Sequence, residues 1–292
     1  MNKTFIILKK QRELGEILTD TFAFLRNEFK PFFKLILQIA GPYLLIAAAG
    51  GVLYFYGFFS SIDTESGIDF GMISVFAMLL GFLLLFFGGV ASYVLSYSVT
   101  LNYIKSYDQN KGEVHIPDVR KWVKESFWSI LGLGILNGIM LLVGFILCLI
   151  PGIYLWVPLT MTFAILIYRN HSVTDAISES FTLIKDEWWN TFLYLLVIGI
   201  IVGVAGYVFS IPAAVYSWIK MGVFMNEMNL ADPTSFIDPV YVVLNLLSYT
   251  FRFFLNLISV VASILIYFHL NEKKNFTGTY QRISSLGDRS EK

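Results

Sequence analysis

Asn245, Ser248, Arg252, Asn256, Ser259 and Ser263 succeed one another at intervals of 3, 4, 4, 3 and 4 inside an otherwise apolar run. A helix would carry all six on one face. An unpaired charge in hydrocarbon costs at least a few kcal/mol, so a polar stripe with Asn245, Arg252 and Asn256 among its members is a candidate for lining a solute path. Hydrogen-bonded helix packing is the competing use. Depth bears on the choice: nineteen residues separate Arg252 from Asn271, about 28 Å of helix at 1.5 Å per residue. That reaches the far edge of a bilayer, where a long cation snorkels toward water. Residues 240–251 would then form either the top of this span or a separate external helix, with Asp238 as its cap and Pro239 at its first position.

Other chemistry is sparse. His115, His171 and His269 are scattered along the chain, with no second His four residues from any of them. The chain also has no phosphate-cradling Gly-rich loop ending in Lys-Ser or Lys-Thr, and no Gly-x-Ser-x-Gly turn. The single cysteine, Cys148, lies in an apolar run and reads as a small packing residue, which leaves no disulfide and no Cys-rich metal site. Catalytic residues, cofactor and metal are therefore all expected to be absent, and a net charge of zero argues against a nucleic-acid partner. Asp186, Glu187, Trp188 and Trp189 form an acidic and aromatic cluster that reads as an interfacial anchor.

The elements that must carry these residues follow from composition. The 292 residues are 56% hydrophobic and 14% charged, against roughly 25% charged in soluble domains. Aromatic residues make up 17% of the chain, as suits lipid-facing surfaces and interfacial belts. Apolar runs long enough to cross a bilayer, roughly 20 residues in a helix, recur throughout. They predict an all-α integral membrane protein, a single polytopic domain over 1–292 with spans at about 35–59, 72–101, 127–149, 153–168, 189–217 and 244–270. The 127–168 pair is divided at Pro151-Gly152, and its second member is short enough that a re-entrant hairpin is the alternative to a full crossing. The stretch Phe5–Leu8 is too short for a signal-peptide core, so the N-terminus is expected to be retained.

Nineteen of the Lys and Arg residues fall before residue 35, in the 105–124 and 169–187 connections, or after Leu270. Lys220 alone falls in a connection on the other side, and the 60–70 connection carries Asp63, Glu65 and Asp69 without a basic residue. The positive-inside rule then places both termini in the cytoplasm of a cell, with the 271–292 tail, in the inner or cytoplasmic membrane.

Displaced by 159 residues, Glu13–Leu37 overlies Ser172–Leu196, pairing Glu16 with Asp175, Asp20 with Glu179, Arg26 with Lys185 and Glu28 with Glu187. Leu14, Leu18, Phe22, Leu25 and Phe29 correspond to Val173, Ile177, Phe181, Ile184 and Trp188, an apolar face at helical spacing. Residues 13–34 and 172–187 read as cytoplasmic amphipathic elbows, with a weaker copy at 117–126. The pattern fits either a duplication or a generic interfacial elbow. As a duplication it gives a six-helix transmembrane bundle of three parallel elbow-plus-helical-hairpin units, N-in and C-in. Rows of small residues (Ser74, Ala77, Gly81, Gly88 and Ser92; Gly134 and Gly138; Gly199, Gly203, Gly206 and Ser210) are expected at helix contacts.

The stretch Ile150-Pro151-Gly152-Ile153-Tyr154-Leu155, then Asp175-Ala176-Ile177-Ser178-Glu179-Ser180-Phe181 and Trp188-Trp189, resembles the membrane domain attached to some glycerophosphoryl diester phosphodiesterases and the stand-alone proteins of that type. Glu13–Leu18 through Phe33 is similar to the leading elbow of that family. The resemblance implies a multi-pass helical domain without the soluble catalytic barrel, so no catalytic residue carries over. Two functions are compatible with the sequence: a non-enzymatic protein that organises membrane partners or lipids, and a transporter for a small or amphiphilic solute. Its partners would be the lipid bilayer and either another membrane protein or a second copy of the chain.

Overall fold

The computed structural model describes residues 5–63, 67–68, 71–223 and 239–287. In chain order it contains α1 (Leu14–Ile39), α2 (Gly41–Ser60), β1 (Ile62–Asp63), β2 (Gly67–Ile68), α3 (Met72–Gln109), α4 (Ile116–Leu147), α5 (Leu149–Arg169), α6 (Val173–Ile184), α7 (Trp188–Val208), α8 (Ile211–Val223), α9 (Pro239–Asn275) and α10 (Thr277–Gly287). The helices α2, α3, α4, α5, α7 and α9 are each long and apolar enough to cross a membrane. The chain is an all-α multi-pass membrane protein, its β structure among the described residues a single antiparallel pair, Ile62 with Ile68 and Asp63 with Gly67.

The helices divide between two compact units. The first comprises Met1–Leu35, Tyr97–Ile201 and Leu257–Lys292, and the second Ile36–Ser96 and Val202–Asn256. In the first unit Phe24, Phe32, Tyr103 and Tyr107 are fully buried and meet edge to face, with ring centroids 5.2–6.3 Å apart, the arrangement that aromatic quadrupoles favour. Asn137 of α4 donates to the Thr162 hydroxyl of α5 at 2.8 Å, so a polar side chain ties these two apolar helices together. In the second unit α2 and the first half of α3 touch backbone to backbone. A Cβ on Gly50 would lie 2.4 Å from the Leu85 nitrogen, one on Gly81 2.3 Å from the Tyr54 nitrogen, and one on Gly88 2.8 Å from the Ala47 nitrogen. The small-residue row of the second span is thus a helix contact. Gly138, Gly199 and Gly203 have no atom within 4 Å of where a Cβ would sit, so the expected contacts are not made there.

Several boundaries differ from the sequence reading, each for a local reason. The first elbow does not stop at 34: α1 runs through Pro31 to Ile39, and the span begins at Gly41 rather than 35. Pro42 cannot donate to the carbonyl four residues back and crowds it, so the helix breaks there. The 117–126 elbow is not a separate element, because no Gly or Pro interrupts residues 118–131 and α4 continues from Ile116 into the span. Only two elbows are therefore set off by turns. The turn expected at Pro151-Gly152 falls instead at Cys148, whose backbone is extended and whose side chain is exposed rather than packed. Pro151 sits in the first turn of α5, where its missing N–H is no loss, and α5 extends over 21 residues, a full crossing length. Gly152 allows the hairpin to close, since a Cβ there would meet the Phe145 ring at 2.4 Å.

The fifth span ends at Val208 instead of 217, with residues 209–210 in a turn and Pro212 inside the first turn of α8. The sixth is longer than 244–270. Pro239 opens α9 as a first-turn residue, and the helix continues without a break past residue 251 to Asn275, so residues 240–251 are not a separate helix. The cap proposed at Asp238 lies outside the described residues. The tail folds back as α10 over Thr277–Gly287.

The two elbows bury corresponding positions. At the offset of 159, Ile17 and Ala176, Thr21 and Ser180, Phe24 and Leu183, Leu25 and Ile184, and Phe32 and Thr191 are buried in both copies. Of the apolar stripe, Phe22 and Phe29 are exposed, Leu14 and Leu18 half-buried and Leu25 buried. That stripe forms the flank of each elbow, beside a buried face that also carries Thr21 and Glu28.

Candidate functional site

The polar stripe of α9 begins in the second unit, beside the break between α7 and α8. A helix that ends leaves its last carbonyls unpaired, and α9 supplies donors to them. Arg252 Nε donates to the Gly206 carbonyl at 3.3 Å and its terminal nitrogen to Ser210 Oγ at 2.7 Å, with the guanidinium 5.4 Å from the centre of the Tyr207 ring. Ser248 Oγ donates to the Phe209 carbonyl at 2.9 Å, and the Phe209 and Phe251 rings stack at 4.5 Å. A cation at a helix C-terminus also complements the negative end of the helix dipole. Arg252 therefore caps α7.

Asn245 bonds the Tyr241 carbonyl one turn back, at 2.9 Å, and lines an open groove of about 230 Å³ together with Ser210, Ser217, Ser248 and Arg252. Asn256 is exposed and is not among the groove's lining residues. Ser263 donates to the Ser259 carbonyl in its own helix. The stripe thus serves separate purposes: Ser248 and Arg252 hold a helix break, Asn245 lines a groove, and Asn256 joins neither.

A second polar assembly lies in the first unit. Arg12 is 3% exposed, and its guanidinium donates to the carbonyls of Ile7, Leu8 and Lys10 and to the Asp20 carboxylate. Burial lowers its pKa while Asp20 raises it, and an arginine stays charged in such a setting. The Arg12 backbone N–H donates to His269 Nδ1 at 2.9 Å, and the Ile6 N–H to the Tyr107 hydroxyl at 3.0 Å. On α1 the buried Glu28 accepts from the Tyr103 hydroxyl at 2.8 Å.

Around the second elbow, Arg169 pairs with Glu179 and donates to Asn271, while His171 stands 3.4 Å from the same carboxylate. Glu187 takes a 2.6 Å ion pair from Lys273, and hydrogen bonds from Lys273 and then Asn190 hold its carboxyl below the usual range. Glu272 gathers the Gly278 and Thr279 N–H groups and the Thr279 hydroxyl, capping α10. The N-terminal segment, both elbows and α10 are thereby fastened to the ends of α3, α5 and α9.

Sequence reasoning missed Arg12 and its partners, although the signal was present. The offset that overlays the elbows also sets His171 over Arg12 and Glu179 over Asp20, and both pairs form. Among the described residues no three His, Cys, Asp or Glu side chains converge as metal ligands.

Fold and site together define a multi-pass helical membrane protein with buried polar assemblies in its first unit. Set beside models of protein families, curated proteins and solved structures, the chain matches none.

Proposed function

We propose that this chain is a non-enzymatic protein of the cytoplasmic membrane, with both termini in the cytoplasm, that organises lipids or membrane partners at the inner surface. The polar network of the first unit is the observation that carries this reading. It holds two amphipathic elbows and the terminal segments against the ends of long apolar helices, and its titratable groups pair with one another. A network of this kind builds a platform rather than a reaction centre. The excess of Lys and Arg in the same connections supports the cytoplasmic side. Resemblance to the phosphodiesterase membrane domain fits a multi-pass helical domain of that type. The test is purification of the full chain from native membranes, with partner and lipid mass analysis of one sample. A stoichiometric lipid or partner is expected, and recovery of the chain alone would contradict the proposal.

Transport of a small or amphiphilic solute is the second reading, favoured by the α7–α8 break and the Asn245–Arg252 groove beside it. Discontinuous helices form the binding sites of many transporters. Flux through vesicles containing Arg252→Lys and Asn245→Ala proteins would fall if this reading holds, and unchanged flux in both would remove its support.

A further inference from the structure

From Phe22 onward α1 has an outward face that no described residue covers. Phe22 and Phe29 are 46% and 57% exposed, and Phe33 lies against Phe29 at 4.6 Å between ring centres. Beside this aromatic row run Arg26, Lys30 and Lys34, one per turn, each stepped about 40° round the helix from the last. All three are exposed, and among the described residues none has a hydrogen bond or ion pair. Elsewhere in the same unit Lys9, Lys10, Lys273 and Lys274 each reach a carboxylate. Past Asp20 the only acid on α1 is Glu28, which is buried against Tyr103, so the outward face is purely cationic and apolar. Although α1 has 26 residues, it is not among the helices apolar enough to cross. A helix with one buried face, an adjoining exposed aromatic row and a basic row beyond it is built to lie in an interface.

We infer that the Arg26, Lys30 and Lys34 row, with Phe22 and Phe29 beside it, is a docking surface for anionic phospholipid. The phosphate headgroups meet the cations and the acyl chains meet the rings. The inference rests on the proposed organising role and names the lipid class that role would gather. Charge complementarity selects the occupant, because three cations without protein partners face a leaflet that carries negative headgroups, and each adds an electrostatic increment near such a surface.

The test uses the full chain in nanodiscs of equal parts phosphatidylglycerol and phosphatidylcholine, with the lipids it retains on release counted by native mass spectrometry. The wild type should retain phosphatidylglycerol in preference. Each charge removed should lower that preference by about fivefold, so that Arg26→Gln/Lys30→Gln/Lys34→Gln abolishes it, while Arg26→Lys/Lys30→Arg/Lys34→Arg keeps it. A control, Lys111→Gln/Lys121→Gln/Lys124→Gln, removes the same charge from exposed positions elsewhere in the unit and should leave the preference intact. Equal retention of both lipids by the wild type overturns the inference, as does equal loss in the control. Copurification of an acidic protein in place of lipid, lost in the same triple variant, also overturns it. Failure of the organising role is read separately, by whether the full chain purified from native membranes carries a stoichiometric partner, which the triple variant should leave unchanged.

Discussion

The contact between α2 and α3 gives a sharp test of how closely these helices are joined. At Gly81 a Cβ would stand 2.3 Å from the Tyr54 nitrogen and 2.7 Å from the Tyr54 Cα, with the Gly50 carbonyl oxygen at 2.8 Å. All three are backbone atoms, so no side chain can rotate away. Non-bonded carbons rest at about 3.5–4.0 Å, so Gly81→Ala forces the two helices apart by about 1 Å. Overpacking of that kind costs about 2–3 kcal/mol, offset by about 1 kcal/mol of helix propensity gained on replacing Gly with Ala. The net loss expected is about 1–2 kcal/mol.

Eight residues further along the same helix, Gly89 has nothing within 4 Å of a Cβ, and Gly89→Ala should be neutral or stabilising by up to about 1 kcal/mol. Unfolding of the purified protein in a denaturing-detergent titration, read by circular dichroism, separates the two variants by about 1–3 kcal/mol. Gly50→Ala should match Gly81→Ala, and the double variant should cost less than the sum because one displacement relieves both clashes. If Gly81→Ala is as stable as Gly89→Ala, the backbone contact is wrong.

Three further outcomes are expected. Arg12→Ala removes a buried cation from three carbonyls and Asp20 and should destabilise the first unit by about 3 kcal/mol. The loss would be seen as new protease cutting within residues 5–12, and Arg12→Lys should not rescue it because an ammonium lacks the planar fork. Glu187 has a lowered folded pKa, so its stabilisation is present above the ordinary carboxyl value of about 4.3 and is lost as pH falls through the lower folded value. Glu187→Gln should flatten the acid limb of a stability–pH curve, and an unchanged limb would count against the Lys273 pair. Cys148 is the only cysteine and is exposed at the α4–α5 turn, so under the proposed orientation a membrane-impermeant maleimide should label intact cells from outside. Labelling only after lysis would contradict that orientation.

Span number was legible because run length alone decides it, and each of the six crossing helices overlaps an apolar run read from the sequence. Span ends were harder, since they depend on which proline acts. Pro42 ends α1 and Pro212 follows the break after α7, yet Pro31 is absorbed within α1 and Pro151 within the first turn of α5. The 159-residue correspondence of the two elbows was legible, whereas the positions that each elbow buries were not, because burial in the first unit follows Thr21, Ser180 and Glu28 as well as apolar residues. The α9 stripe was legible as a face, whereas its partners, the freed carbonyls of Gly206 and Phe209, lie some forty residues earlier and exist only because α7 ends there. Residues 5–12 are too few to show a period, and their burial is decided by helices made much later.

That last feature bears on how the chain is made. The Arg12 backbone waits for His269, 257 residues downstream, and Ile6 waits for Tyr107. At roughly 5–20 residues per second of synthesis, Ile6 gains its acceptor after about 5–20 seconds, but the Arg12 N–H waits about 13–50 seconds, until His269 has emerged. Docking of the N-terminal segment therefore depends on α9: a chain truncated before that helix would leave the Arg12 N–H without its acceptor and the segment open to proteolysis.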